Sequence, residues 1–324
     1  MKRNVRFLDC VLGATVLTAL TTSLGAQTYP VKPIKTIVTV AGGIDLVARL
    51  VSQGLQESMG QPVVVETMPG AGGSIGHEAV ARAAPDGYTL MMSVASTHIT
   101  NGFLSVNSRF DPVKGYTPIG RVAESILLLS SDISAPYNNV AEMVVYARKN
   151  PGKLAYGTTG IGSAHHFSAA AISSLTGIDW VHVPYKSGPQ VLTDMMSGQV
   201  QIGWAIYATL VPFEKTGKVR ILGINSGRRF AKYPNIPTVT EQIPGYEPPP
   251  TWASYFGPAG MQAGLVQRLN AEMVKIVTSP DIRAKIEASG TVVSPSTPEE
   301  LGDMVKRDIV SVGKVVKLVG IKPE

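Results

Sequence analysis

The sequence predicts an α/β fold of two lobes joined by two crossing strands. Three observations carry the prediction. Short β-branched runs alternate with segments of helical period, the pattern of parallel sheets covered by helices. Glycine-rich turns stand between strand and helix, where sheets of this kind bind ligands. The alternation restarts near residue 125 and breaks off again near 225, so a first lobe of 27–124 plus 226–324 would enclose a second of 125–225. A chain of 324 residues is long enough for two cores.

The elements follow in order. IKTIVTV, residues 34–40, is a strand ending in Ala41-Gly42-Gly43. In the next stretch, DLVARLVSQGLQESMG, apolar residues at 46, 47, 50, 51, 55 and 59 keep helical spacing until Gly60 stops the helix. PVVVET, the glycine turn PGAGGSIG and the helical HEAVARAA repeat the plan. YTLMMSV is a third strand and runs into a polar loop, ASTHITN. RVAESILLLSS reads as the first crossing strand.

The second lobe alternates helix VAEMVVYARKNPG, strand KLAYGTT, helix SAHHFSAAAISSLTG, strand DWVHVPY, helix GPQVLTDMMSG, strand QVQIGWAIY and helix ATLVPFEKTG. VRILGINSGRR reads as the second crossing strand, and the proline-rich YPNIPTVTEQIPGYEPPPTW as a long surface connection. AGLVQRLNAEMVKIVTS is helical, DIRAKIEASG is a segment of unassigned type, and a last helix opens at Thr297-Pro298-Glu299-Glu300 with Thr297 as its N-cap.

Composition narrows the function. With 44% hydrophobic and 16% charged residues the chain folds and is not broadly disordered. A net charge of +6 without any basic run interleaved with aromatics argues against nucleic acid as a partner. Lys2, Arg3 and Arg6 precede an apolar run over residues 10–20, the layout of a secretory signal peptide over residues 1–26, cleaved near Gly25-Ala26. Threonines break that run, which is shorter than the roughly 20 residues a membrane span needs. Cys10 is the only cysteine, so the mature chain has neither disulfide nor thiolate chemistry.

The loop Gly157-Thr158-Thr159-Gly160-Ile161-Gly162 lacks the lysine, glycine order and following acid of a nucleotide site. The helix that opens near Ser163 instead offers free N–H groups and the positive end of its dipole to an anion. Thr158, Thr159 and Ser163 add hydroxyls there, and Gly162 lets backbone approach closely; an ordinary capped turn is the competing reading. The same logic covers Ala41, Gly42, Gly43, Ile44 and Asp45 before the first helix, and Ser96, Thr97 and His98 after the third strand. Asp45 reads as a capping residue and not as a catalytic acid.

His165 and His166 are adjacent, so on a helix they point about 100° apart and do not easily share one metal. His77-Glu78 lacks the second histidine of a zinc helix, so neither metal nor cofactor is expected. His165 stands at a helix start, where lining the cleft competes with packing; His77 and His182 read as packing residues. Tyr185 and Lys186 end a strand on the same side, with hinge surface as the alternative. No G-x-S-x-G elbow surrounds Ser163.

From Tyr29 onward these motifs resemble the Bug family, the periplasmic solute-binding receptors of tripartite tricarboxylate transporters. The matching stretches are YPVKPIKTIV, DLVARLVSQGLQESMGQPVVVE, PGAGGSIGHEAVARAAPDGYTL, YGTTGIGSAHHF, VHVPYK and IPTVTE. The resemblance implies a type II periplasmic-binding-protein fold and capture of a small organic acid without chemistry. It also implies a monomer in the periplasm that delivers its ligand to a two-subunit inner-membrane permease. Against the family pattern, VTVAGGID is shorter, Met68 replaces an arginine before the proline, and Ala205 in GWAIY stands where a small polar or acidic residue is common. With Trp204 and Tyr207 beside it, Ala205 motivates the expectation of a ligand with an apolar or aromatic body; core packing of Trp204 competes with it. A secreted hydrolase or lyase using His98 or His165 as base, and a sensor subunit, are the alternatives from other classes.

Overall fold

The computed structural model describes residues 29–40, 44–104, 110–318 and 320. The expected signal segment and Ala41, Gly42 and Gly43 lie outside the described residues. The chain begins with β1 (Ile34–Val38), α1 (Ile44–Met59), β2 (Val63–Thr67), α2 (Ser74–Ala81) and β3 (Thr89–Val94). A π-helical turn at Ser96–Thr100 leads to α3 (Asn101–Leu104), followed by β4 (Tyr116–Ser125) and β5 (Leu127–Asp132). The second sheet is built with α4 (Val140–Lys149), β6 (Ala155–Thr158), α5 (Ala164–Thr176), β7 (Val181–Pro184), α6 (Gly188–Met196), β8 (Ile202–Ile206), α7 (Tyr207–Glu214) and β9 (Val219–Asn225). After α8 (Val239–Gln242) the chain completes the first lobe with β10 (Trp252–Pro258), α9 (Ala263–Thr278), α10 (Pro280–Ala288), β11 (Thr291–Val293) and α11 (Pro298–Leu318).

The strands order as β11-β4-β10-β3-β1-β2 in one sheet and β7-β6-β8-β5-β9 in the other. β1, β2 and β3 are parallel, as are β6, β7 and β8. The strands inserted by the crossings, β10 and β5, run antiparallel to their neighbours. β1 is buried except at Lys35, as a strand covered on both faces requires. α1 lays Val47, Leu50, Val51 and Leu55 on the first sheet, in one core with Leu90, Tyr255 and Leu269.

The first crossing is abrupt: only Ile126 separates β4 from β5, and it is buried. The second lies elsewhere than expected. Residues 226–246, assigned from the sequence to the first lobe, stay with the second. Phe230 packs in one cluster with Leu210 and Ile224, and Val239, Ile243 and Tyr246 join Tyr137, Val140 and Trp204. The side chain of Gln242 accepts from Val140 N at 2.7 Å, and a capping box of Thr238 and Glu241 fixes α8. Prolines limit its pairing with the sheet to a single bridge between Thr238 and Ile224, yet its spaced apolar residues still require a core, and the one they join is that of the second lobe.

Two smaller expectations change. ASTHITN is helical and not a loop, because Thr97, His98, Ile99 and Thr100 are all buried and their backbone groups need internal partners. DIRAKIEASG is the helix α10, leading into the short edge strand β11. The lobes also meet at Gly290, whose φ is +83°. A Cβ there would stand 2.6 Å from the Cβ and backbone N of Ala208 in α7.

Candidate functional site

Both halves of the candidate site sit at carboxyl ends of parallel strands. On the second lobe, β6 runs through residues 159–163 into α5. Ser163 caps that helix: its Oγ accepts from His166 N at 3.2 Å and donates to Gly160 O at 2.7 Å. Gly162 N donates to His166 Nδ1 at 3.2 Å. Among the described residues, the N–H groups of Ala164 and His165 have no acceptor, so the first turn of α5 keeps open donors. Thr159 is half-buried, with its Oγ1 3.3 Å from His165 Nδ1.

On the first lobe the same position is a buried hydroxyl cluster. Thr39 Oγ1 donates to Ser93 Oγ at 3.1 Å, and Thr97 Oγ1 lies 3.0 Å from Thr39 Oγ1 and 3.1 Å from Ser93 Oγ. Gly73, at φ +94°, lets the α2 entry lie on this cluster, since a Cβ there would meet Thr97 at 2.8 Å. Ser96 is exposed above it. The halves are neighbours, because Phe167 on the first turns of α5 packs in one cluster with Ala95, Ile99, Trp252 and Val312 of the first lobe.

The structure reassigns several residues proposed from sequence. His98 does not reach the cleft: it is fully buried, stacks on Phe256 with centroids 4.1 Å apart, and its Nε2 donates to Pro112 O at 2.9 Å. A helical turn in place of a loop points its ring inward. Thr158 is buried, with its Oγ1 2.7 Å from His182 Nε2, and shapes the loop from beneath. The Tyr185 hydroxyl is hydrogen-bonded to Asp194 of α6, and burial with that carboxylate pushes its pKa up to about 12. Asp45 accepts from Arg49 Nε at 2.7 Å and from Thr67 Oγ1 at 2.9 Å; although burial pushes its carboxyl up, these donors and the Arg49 charge hold it below the ordinary range. It ties the start of α1 to the end of β2, while Ile44 packs against the first core. Lys186 is exposed, and its N–H donates to Gln190.

Ala205 is buried in a cluster with Ile126, Leu128 and Leu210. Trp204 is fully buried on the other face of β8, within the core that also holds Tyr156 and Ile172. Alternation along the strand sends the two residues to opposite cores. The expectation of an aromatic ligand therefore loses its basis.

Burial keeps the histidines uncharged. It lowers His77 to about 4, His165 to about 4 and, aided by neighbouring His77, His98 to about 3. His166 falls to about 4 through burial and the stacked His182. Sequence reasoning missed Thr39 and Ser93, whose only signal is a hydroxyl in an otherwise apolar strand. It also missed Ile161, 66% exposed at the loop tip, and Ile206 at the end of β8. Among the described residues no group of three or more potential ligands could hold a metal, and no helix is long and apolar enough to cross a membrane.

A family model described as tripartite tricarboxylate transporter family receptor matches residues 47–321. The chain belongs to that receptor family. The receptor is 30% identical to a UPF0065 protein from the tcbD-tcbE intergenic region of a Pseudomonas species, over 92% of this chain and 90% of the relative. It is similar to a solved R. palustris structure with adipate, at 29% identity and a TM-score of 0.75, covering 91% of this chain and 100% of the other. It is likewise similar to MatC from Rhodopseudomonas palustris with bound malate, at 29% identity and a TM-score of 0.70, covering 89% and 100%. The receptor thus has the two-lobed α/β fold of periplasmic solute-binding proteins, as its motifs implied.

Proposed function

We propose that the receptor closes its lobes over a small aliphatic dicarboxylate in the periplasm and hands it to a two-subunit inner-membrane permease. The observation that carries the reading is the first turn of α5: open N–H groups of Ala164 and His165 beside the hydroxyls of Thr159 and Ser163. Such a donor set suits a carboxylate without a buried arginine. Ser96 and the hydroxyl cluster of the first lobe supply polar groups to the other end, with water completing the shell. Exposed Ile161 and Ile206 provide apolar surface for a short methylene chain. The relatives with adipate and malate support the same class.

An enzyme reading finds less support. His98 has no free path to a substrate, and His165 Nδ1 is engaged by Thr159. The Thr159 hydroxyl beside His165 is not backed by an orienting acid: among the described residues no carboxylate is hydrogen-bonded to either ring. The test is thermal unfolding of the mature protein with succinate, malate, adipate, benzoate and phthalate, together with mass spectrometry of whatever acid co-purifies. Stabilisation by aliphatic diacids of about 2.7 kcal/mol at a hundredfold excess over Kd is expected, without product formation. Preference for the aromatic acids, or turnover, would overturn the proposal.

A further inference from the structure

All five histidines of the chain lie beneath the two halves of the candidate site, and two of them are in conflict with each other. His77 Nδ1 lies 2.9 Å from Gly73 O, and His98 Nε2 lies 2.9 Å from Pro112 O. A carbonyl only accepts, so each ring must carry its proton on that outer nitrogen. The inner nitrogens, His77 Nε2 and His98 Nδ1, are then both bare and face each other at 3.2 Å. Ser93 Oγ, 3.2 Å from His77 Nε2, can donate to one lone pair, which leaves the other opposed. One added proton between the rings removes the conflict: His77 Nε2–H donates to His98 Nδ1, and both outer bonds stay intact.

The surroundings decide when that proton enters. The pair is enclosed by Phe110, Tyr116, Trp252 and Phe256. Tyr116 donates its hydroxyl to His77 O and is held protonated by burial. Glu78, next along α2, is turned to Arg82. Asp308 of α11 is reached only through Trp252 Nε1; burial raises its carboxyl, and Trp252, Arg307 and Arg121 act against that rise. From β3 the pair meets the Ser93 hydroxyl, which is in turn bonded to the hydroxyls of Thr39 and Thr97. Burial thus keeps the free pair neutral at neutral pH, and the Ser93 hydroxyl links it to the cluster of Thr39 and Thr97.

We infer that His77 and His98 together take up one proton from solvent when a carboxylate occupies the first-lobe half of the cleft. The inference rests on the carboxylate reading above. The anion offsets the cost of a buried imidazolium, and the proton supplies the countercharge that no lysine or arginine of the hydroxyl cluster provides. The hydroxyls turn with it. In the neutral pair Ser93 donates toward His77. Once His77 Nε2 is protonated, Ser93 is released to donate to Thr97, and the Thr97 hydroxyl, which donates to Val94 O at 3.2 Å in the free protein, turns from that carbonyl into the cleft. His77, His98 and Ser93 are therefore positioning residues that set the charge preference of the site without touching the ligand.

The ring nitrogens of isotope-labelled histidines, read by two-bond nitrogen–proton correlation in the ligand-free receptor near pH 7, provide a ligand-independent check. Nδ1–H on His77 and Nε2–H on His98 are expected; the opposite tautomer on either ring overturns the inference and leaves the carboxylate reading untouched. Malate and adipate are then titrated by calorimetry in phosphate and in Tris buffer. Uptake of about one proton per bound acid is expected, with affinity falling by up to about tenfold per pH unit where the uptake is complete. His77→Gln should lose both the uptake and the pH slope, and Ser93→Ala should weaken binding while the pair remains. Binding of either acid to the wild type without proton uptake overturns the inference, whether or not the variants fold. If neither acid binds and no carboxylate co-purifies, the carboxylate reading falls, and this inference falls with it.

Discussion

Burial determines the charge state of the histidines of this receptor, and that has a measurable cost. His77, His165 and His166 titrate at about 4 and His98 at about 3 in the folded protein, against an ordinary 6.5 in the unfolded chain. With folded values depressed, the unfolded state binds more protons between about 6.5 and 4. The stability these rings leave intact is full above about pH 6.5 and declines as pH falls through that window. The unfolding temperature of the ligand-free protein is therefore expected to drop steadily from pH 7 to pH 5, and a flat profile would count against buried neutral rings. That His98 carried significance was legible in the sequence, but its direction was not. A polar run such as ASTHITN reads as loop until Ile99 and Val312 are seen to share a core.

Among the elements, α5 bears on both binding and hinge. Its cap Ser163 holds the loop through Gly160 O and the helix through His166 N. Its fourth residue, Phe167, enters the first-lobe cluster under α11, and Ser168 accepts from Asn225, which in turn accepts from the Tyr246 hydroxyl. Ser163→Ala is expected to cost about 1 kcal/mol of stability and to weaken ligand binding, measured by denaturant unfolding and calorimetry. Phe167→Ala, in contrast, should cost about 3 kcal/mol or more and loosen the lobes, with unfolding no longer a single transition. The parallel strands and their helices were legible from period and glycine turns alone. The packing of residues 226–246 was not, because the prolines that rule out a strand say nothing about which core receives Phe230 and Tyr246.

At the scale of the molecule, two lobes are joined through a one-residue crossing at Ile126 and the return beyond residue 246. The ion pair of Arg228 with Glu124, at 2.6 Å, bridges them beside that crossing. Gly290 lets them approach closely at its contact with Ala208. Gly290→Val would force a β-branched residue to a φ of +83° and drive its Cβ into Ala208. About 1–3 kcal/mol of strain follows if the lobes hold their position, and a changed lobe angle follows if they do not. Small-angle scattering with and without ligand separates the two outcomes; an unchanged profile with unchanged stability would show that the contact sets nothing. The two-lobed plan was legible in the sequence, whereas this contact was not, since Gly290 precedes β11 of the first sheet and Ala208 lies in α7 of the second lobe.

The same architecture makes the receptor optically self-reporting. The chain has three tryptophans, of which Trp180 and Trp204 belong to the second lobe, while Trp252 stands edge-on to His98 with ring centroids 5.9 Å apart. In the protonated pair the charge sits on His77 while His98 stays neutral, so the indole feels a new positive charge one ring away rather than an imidazolium in contact with it. A change of light from Trp252 on adding an acid would therefore report the arrival of a proton two side chains below the ligand, without any label.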